Sequence, residues 1–197
     1  MMSFLPWGAR AAPADDDATL VARIGAGDRG ALDAVYRRES AALYRYALAL
    51  CGNAGWAADA TQEAFIQLAQ RSQGFDAARG ALGAWLAGIA RHHLLAQWRD
   101  PATATPDEDD PESGGWGGES PEALLVRRQS QDAVWAAIRE LPWGFREALI
   151  LVDLQERPYA EAAAIAGVEL NTLRTRLHRA RQRLAQRLAV PAEGETR

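Results

Sequence analysis

A chain of 197 residues with 48% hydrophobic content is long enough for one large core or two small ones. It has no run of about 18 apolar residues, and its first stretch, MMSFLPWGARAAPADDD, has neither a basic start nor a continuous apolar segment. These features argue against a spanning helix or a secretory leader and predict a cytoplasmic protein. The net charge of −4 argues against a polyanionic partner only until it is divided by segment. Residues 1–99 carry ten Arg against nine acids, residues 100–126 eight acids and no base, and residues 127–197 twelve Arg against nine acids. One acidic connector sets the sign.

In chain order, residues 1–16 read as a disordered tail. A short helix is expected from Asp17 to Ala26, and Asp28 after Gly27 suits the N-cap of a long helix striped by Leu32, Val35, Tyr36, Leu43, Ala47 and Leu50. Gly52-Asn53 breaks it. The next helix offers Ala57, Ala60, Ala64, Phe65 and Leu68 and stops at Gly74-Phe75-Asp76; another follows with Leu82, Trp85, Leu86, Ile89, Ala90 and Leu94. Trp85 lies on that apolar stripe and reads as core. The single cysteine, Cys51, ends the apolar run from Tyr46 and reads as a small buried hydrophobe.

The segment 100–122, DPATATPDEDDPESGGWGGESPE, has too few apolar residues to order itself and reads as a linker. A second domain, 123–190, begins with Leu124, Leu125, Val134 and Ile138 and breaks at Leu141-Pro142. Short helices are expected at Phe145–Leu154 and Tyr159–Ile165, then a longer one at Leu170–Leu188; residues 191–197 form a tail. The fold class is all-α, two small helical domains joined by an acidic flexible connector. No alternating β-branched run suggests a sheet.

The run Tyr159 to Val168, followed by Asn171-Thr172-Leu173, has helix-turn-helix spacing. Small alanines permit a close helix crossing, Gly167 a left-handed turn, and Val168 plugs the angle. On the last helix Leu173, Leu177, Ala180, Leu184 and Leu188 form the expected buried stripe. That leaves Arg174, Arg176, His178, Arg179, Arg181, Arg183 and Arg187 outward, with six Arg and no acid from Thr172 to Leu188. An unpaired cationic face of this kind expects a polyanion, duplex DNA first, an acidic protein surface second. The helix N-terminus would meet base edges through Asn171, Arg174, Thr175 and His178, while Arg176, Arg179 and Arg181 hold phosphates, and Thr172 belongs to the same DNA-binding set.

The LP-x-x-x-R-E-A-L opening at Leu141, the YAEAAAIAGV turn and TLRTRLHRARQRL resemble the fourth conserved region of bacterial sigma factors of the extracytoplasmic-function type, in the sigma-70 family. Leu20-Val21-Ala22-Arg23, Ala26-Gly27-Asp28, Leu43-Tyr44-Arg45-Tyr46-Ala47, Asp59 to Phe65 and Ala84 to Arg91 are similar to that family's second region, in order and spacing. The resemblance implies a non-enzymatic initiation factor that binds core RNA polymerase at the beta-prime clamp helices and the beta flap, reads promoter DNA, and is held by an anti-sigma factor. It implies polymerase docking by Asp59, Gln62, Glu63, Phe65 and Gln67. It implies upstream-element reading by the last helix, and downstream-element melting by Phe75, Asp76, Arg79, Arg91, His92, Trp98 and Arg99. The acidic connector would enter the RNA path of the polymerase, imitating nucleic acid. The chain departs from the family where Ala87, Gly88, Ala90 and Gln97 occupy positions of the melting helix that are commonly basic. That departure motivates one alternative, a sigma-like decoy that sequesters an anti-sigma factor; a stand-alone helix-turn-helix regulator that works without polymerase is another. No cofactor or metal is expected; the adjacent His92-His93 pair lacks metal-ligand spacing on a helix, and no nucleophile-base pair or phosphate loop supports an enzyme.

Overall fold

The computed structural model of the protein describes residues 16–99 and 131–189; the expected tails and the acidic connector lie outside the described residues, apart from Asp16. Those residues form helices and the turns between them, with no strand among them. Helix α1 (Asp17–Gly25) starts where the Asp16 carboxylate accepts from Thr19 N at 2.7 Å. Helix α2 (Arg29–Cys51) starts at the expected cap, Asp28, which accepts from Gly30 N at 2.8 Å and Ala31 N at 3.2 Å. The same carboxylate pairs with Arg23 at 2.9 Å, which fixes the turn between the two helices. Each such cap stabilises its helix by about 1 kcal/mol, because otherwise a first-turn N–H is left without an acceptor.

Gly52 closes α2 in a left-handed conformation, φ +74°, and Asn53 then caps α3 (Ala54–Gln70) by accepting from Trp56 N at 2.8 Å. Two short 3₁₀ turns, Ser72–Gly74 and Ala77–Arg79, lead to α4 (Leu82–Arg99). Its first residue donates a backbone N–H to Asp17 at 2.8 Å, and Asp17 also takes Arg38 at 2.6 Å, so one carboxylate ties α1, α2 and α4 together. Val35, Leu43, Leu50, Leu68, Leu82, Leu86 and Leu94 are fully buried between these helices.

In the second half, α5 (residues 131–139) leads through Leu141-Pro142 into α6 (Trp143–Leu149). The sequence predicts one helix to Leu154. The chain instead widens into a π-helical stretch, Ile150–Leu154, in which Gln155 N bonds back to Ile150 O at 2.9 Å. Helices α7 (Tyr159–Ala166) and α8 (Leu170–Ala189) then form the predicted helix-turn-helix, closed at Gly167 with φ +62° and by Val168 N to Ala163 O at 3.0 Å. The buried stripe of α8 is shorter than its periodicity predicts. Leu173, Leu177 and Ala180 are buried, Leu184 is half-buried, and Leu188 is 47% exposed because the helix outruns its neighbours.

The two halves pack into one continuous core. Helix α7 lies on α4, and α6 with the π-helical stretch lies on α2. Gly52 leaves room at this seam for Arg139 of α5; a β-carbon there would meet Arg139 Cδ at 2.9 Å.

Gly167 makes no comparably close approach. A β-carbon there would stand 3.9 Å from its nearest neighbour, Arg91 Nη1, so the role of this glycine is conformational. Gly167→Ala is expected to cost about 1–2 kcal/mol, the left-handed penalty of an L-residue. Urea midpoints of the full chain measure this, and an unchanged midpoint would refute it.

Candidate nucleic-acid interface

Helix α8 exposes Asn171, Thr172, Arg174, Thr175, His178 and Arg179 on its N-terminal half. These residues share the first turns because Leu173 and Leu177 anchor the opposite face. Thr175 Oγ1 donates to Asn171 O at 2.9 Å, and the Arg174 guanidinium lies 6.0 Å from the ring centroid of Tyr159, which projects from α7. Tyr159 is an exposed aromatic beside the predicted readers that the periodicity did not single out.

The arginine face is not unpartnered, and here the sequence expectation is corrected. Arg181 makes a fork to Asp153 of the π-helical stretch, Nε–Oδ2 2.9 Å and Nη2–Oδ1 2.6 Å, and this bond holds its pKa above the ordinary arginine value. Arg187 pairs with Glu140, and Arg183 stacks 5.0 Å from the Phe145 ring. Arg176 reaches over α6, where a β-carbon at Gly144 would lie 3.0 Å from its Nη1. Arg179 is exposed and meets no carboxylate among the described residues. The acids that neutralise α8 come from elsewhere in the chain, so a count along the helix could not reveal them.

The downstream-element candidates do not share one surface. Phe75 tucks edge-on against Trp85 at 6.0 Å, Asp76 caps its own turn by accepting from Ala78 N at 2.9 Å, and Arg79 is exposed beside them. Trp85 is thereby half-buried in a ring contact rather than fully interior. His92 is exposed, with Nδ1 2.8 Å from Gly88 O, and Arg99 is exposed at the helix end. Arg91 and Trp98 lie instead at the seam with the second half. Arg91 Nε donates to Glu147 Oε1 at 2.5 Å, and the Trp98 ring, tilted by 56° against Trp143 at 5.6 Å with the Arg146 guanidinium 5.3 Å from it, remains 48% exposed.

Glu147 has no solvent exposure and also accepts from Tyr46 Oη at 3.4 Å. Burial pushes its carboxyl above the ordinary carboxylate range, although Arg91 pulls the other way; burial, with Glu147 nearby, likewise raises the Tyr46 phenol. Its neighbour Arg146 satisfies the open carbonyls at two helix ends, donating to Leu50 O at 2.8 Å, Leu141 O at 3.1 Å and Arg139 O. Sequence reasoning missed Glu147, Tyr46 and Arg146 as a cluster. Its signal was an adjacent Arg-Glu pair inside an otherwise apolar segment.

On α3, Asp59 and Gln62 are exposed, and Glu63 is half-buried and accepts from Gln67 Nε2 at 2.8 Å. Phe65 points inward, buried 4.9 Å from Tyr36, so its side chain does not lie on the presented face. Ile66 and Tyr36 are the apolar residues that face outward there, 38% and 51% exposed. Ile66 falls off the stripe Ala57, Ala60, Ala64 and Leu68, which is the signal that could have found it.

The arrangement defines a two-part helical DNA-binding protein, one part a helix-turn-helix and the other a bundle whose α3 exposes both polar and apolar side chains. Family models described as "Sigma-70 region 2" and "Sigma-70, region 4" match residues 35–103 and 131–184. The chain is 31% identical to ECF RNA polymerase sigma factor SigE of Mycolicibacterium smegmatis over 90% of its own length and 70% of the relative's. It is 33% identical to ECF RNA polymerase sigma-E factor of Escherichia coli K12, over 84% of this chain and 91% of that one. Among solved structures it is similar to CnrH in complex with the cytosolic domain of CnrY, TM-score 0.63, with 23% identity covering 88% of this chain and 97% of that one. It is similar also to the sigma factor RpoE in complex with the anti-sigma factor NepR from Bartonella quintana, TM-score 0.64, with 24% identity covering 80% and 96%. The chain belongs to the ECF sigma factors of the sigma-70 family. Because both regions match, the stand-alone regulator gives way to a sigma factor.

If Asp153 holds Arg181 away from phosphate, Asp153→Asn should strengthen binding of the full chain to duplex DNA and steepen its log-log salt slope by about 0.9, one phosphate's worth. Fluorescence anisotropy across a salt series reads this. An unchanged slope would mean that Arg181 already contacts DNA or never does.

Proposed function

We propose that this ECF sigma factor acts in the cytoplasm by binding alone, without catalysis: it docks on core RNA polymerase through the α3 face, reads the upstream promoter element as duplex with α8, and holds the melted downstream element along α4 and the Phe75–Arg79 loop. The observation that carries this is the shape of the α8 surface. Asn171, Thr172, Arg174, Thr175 and His178 stand together at the exposed N-terminal end, the end that enters a major groove in helix-turn-helix docking. Arg174 is steered by Tyr159 and reads a base edge; Arg179, which meets no carboxylate among the described residues, neutralises phosphate. Arg176 and Arg181 add phosphate contacts once released from their internal neighbours.

For polymerase, Asp59, Gln62 and Glu63 offer polar contacts and Ile66 with Tyr36 an apolar centre, with Gln67 orienting Glu63 and Phe65 supporting Tyr36 from behind. A clamp-helix surface on the beta-prime subunit and a beta-flap contact for the second half fit such faces. The sigma factor RpoE of similar fold was solved with the anti-sigma factor NepR, and an anti-sigma factor is the regulator proposed here as well. The acidic connector, residues 100–122, carries the charge to follow the RNA path.

Promoter-specific transcription with core polymerase tests the whole reading; absence of any specific transcript with a folded chain would overturn it. Within it, Arg174→Ala should flatten discrimination among upstream sequences, whereas Arg179→Ala should weaken all of them alike, by roughly tenfold for about 1.4 kcal/mol lost. Ile66→Asp should reduce affinity for core polymerase while leaving duplex binding by the free chain unchanged. Equal effects of Arg174→Ala and Arg179→Ala on every sequence would refute the division of roles.

A further inference from the structure

Phe75, Asp76 and Arg79 stand on a loop that leaves α3 at Ser72 and enters α4 at Leu82, and both of its ends meet the same short helix, α1. At the entry to α4 the preceding residue, Ala81, has no side chain that can cap a helix. The cap comes instead from α1: Asp17 Oδ2 accepts from Leu82 N at 2.8 Å, placing a carboxylate at the positive end of the α4 dipole. Its other oxygen takes Arg38 Nη2 at 2.6 Å, and Arg38 Nε donates to the buried Glu39 at 2.8 Å, so Asp17 is anchored on α2 as it reaches the loop.

At the other end Gly25, the last residue of α1, lies against Ser72, which is buried and opens the first 3₁₀ turn. A β-carbon at Gly25 would meet Ser72 Oγ at 2.7 Å, too close for carbon and oxygen, whereas Ser72 Cβ would stand at 3.8 Å, an ordinary contact. Gly25 is helical and lacks a positive φ, so this position requires the missing side chain rather than a special backbone. Ser72 O accepts from Phe75 N at 3.1 Å, which carries any movement of Ser72 directly to Phe75. Asp17 and Gly25 begin and end the 9-residue α1, about 12 Å apart at 1.5 Å per residue. The stretch from Ser72 to Leu82 could extend to about 33 Å, so its own length does not fix its path.

We propose that α1 is a brace for strand recognition, with Asp17 and Gly25 as positioning residues that hold both ends of the loop carrying Phe75, Asp76 and Arg79. The brace stands on the contacts of α1; its consequence for promoter opening rests on the reading of that loop as a downstream-element contact.

Two measurements test it. Amide hydrogen exchange on the free full chain reads the brace itself. Asp17→Ala should speed exchange at Leu82 by about tenfold, and Asp17→Asn, whose amide oxygen still accepts from Leu82 N, should keep most of the protection. Gly25→Ala should speed exchange at Phe75 although alanine favours the helix more than glycine does, so a weakened α1 is not the cause. Adding Ser72→Ala, which removes the oxygen that the new methyl strikes, should return Phe75 to its wild-type rate.

The second measurement uses holoenzyme reconstituted with core polymerase and a promoter pool randomised separately at the upstream and downstream elements, with the transcripts sequenced. Asp17→Ala and Gly25→Ala should each weaken the downstream preference by about threefold or more and leave the upstream preference as in wild type; Gly25→Ala with Ser72→Ala should recover it. Unchanged exchange at both Leu82 and Phe75 in the single variants would remove the brace. Faster exchange with fewer transcripts but both preferences intact is the result of lost stability alone, and would overturn the positioning role. Upstream selectivity without downstream preference in the wild type would sink the strand reading of the loop and this role with it. Absence of any specific transcript from the wild type would count against the proposed function, while exchange would still decide the brace.

Discussion

A carboxylate with no access to water, Glu147, sits where α6 meets α2 and α4, and the relation between the two regions follows from what that charge requires. Removing an ionised group from water costs several kcal/mol, recovered only through close opposite charge and hydrogen bonds. Arg91 and Tyr46 supply these from the other region, which sets the approach of α7 to α4 and places Gly167 beside Arg91. Arg146 adds a second constraint, since three carbonyl acceptors at two helix ends converge on one planar donor. The seam is thus held by directional bonds as well as apolar packing, and directional bonds can be exchanged.

Charge pairing also shapes the α8 surface. Glu140, which follows α5, and Asp153 of the π-helical stretch neutralise its C-terminal half, while the side chains exposed at its N-terminal end meet no carboxylate among the described residues. The effect is to concentrate free positive charge where base edges would be met. An unbroken arginine face would bind any duplex strongly; a partly neutralised one leaves more of the binding to contacts that distinguish sequences. The π-helical widening at Ile150–Leu154 belongs to this arrangement, because Asp153, which lies within it, is the residue that reaches Arg181.

On α3 a related division separates support from presentation. Phe65 is committed to Tyr36 and the bundle interior, whereas Ile66, one residue on, is turned outward by the 100° step of the helix. The result is an exposed apolar centre flanked by the polar Asp59 and Gln62, the composition that the proposed polymerase contact would use.

The all-α class, the helix-turn-helix, the Asp28 cap and the Gly52 and Gly167 turns were legible in the residues themselves, because each depends on periodicity or on backbone chemistry within a few positions. Two linked regions were equally legible, and so was the family, since its motifs are local blocks. Tertiary structure alone decided which arginines of α8 are free, since Asp153 and Glu140 lie far from them in sequence. It also decided that Phe65 faces inward, that Leu188 lies beyond the packing, and that Arg91 is clasped by a glutamate 56 residues away. A sequence specifies a helix's apolar face through its own repeat, but the partner of a charge is set by which elements meet, and that depends on the packing of the whole chain.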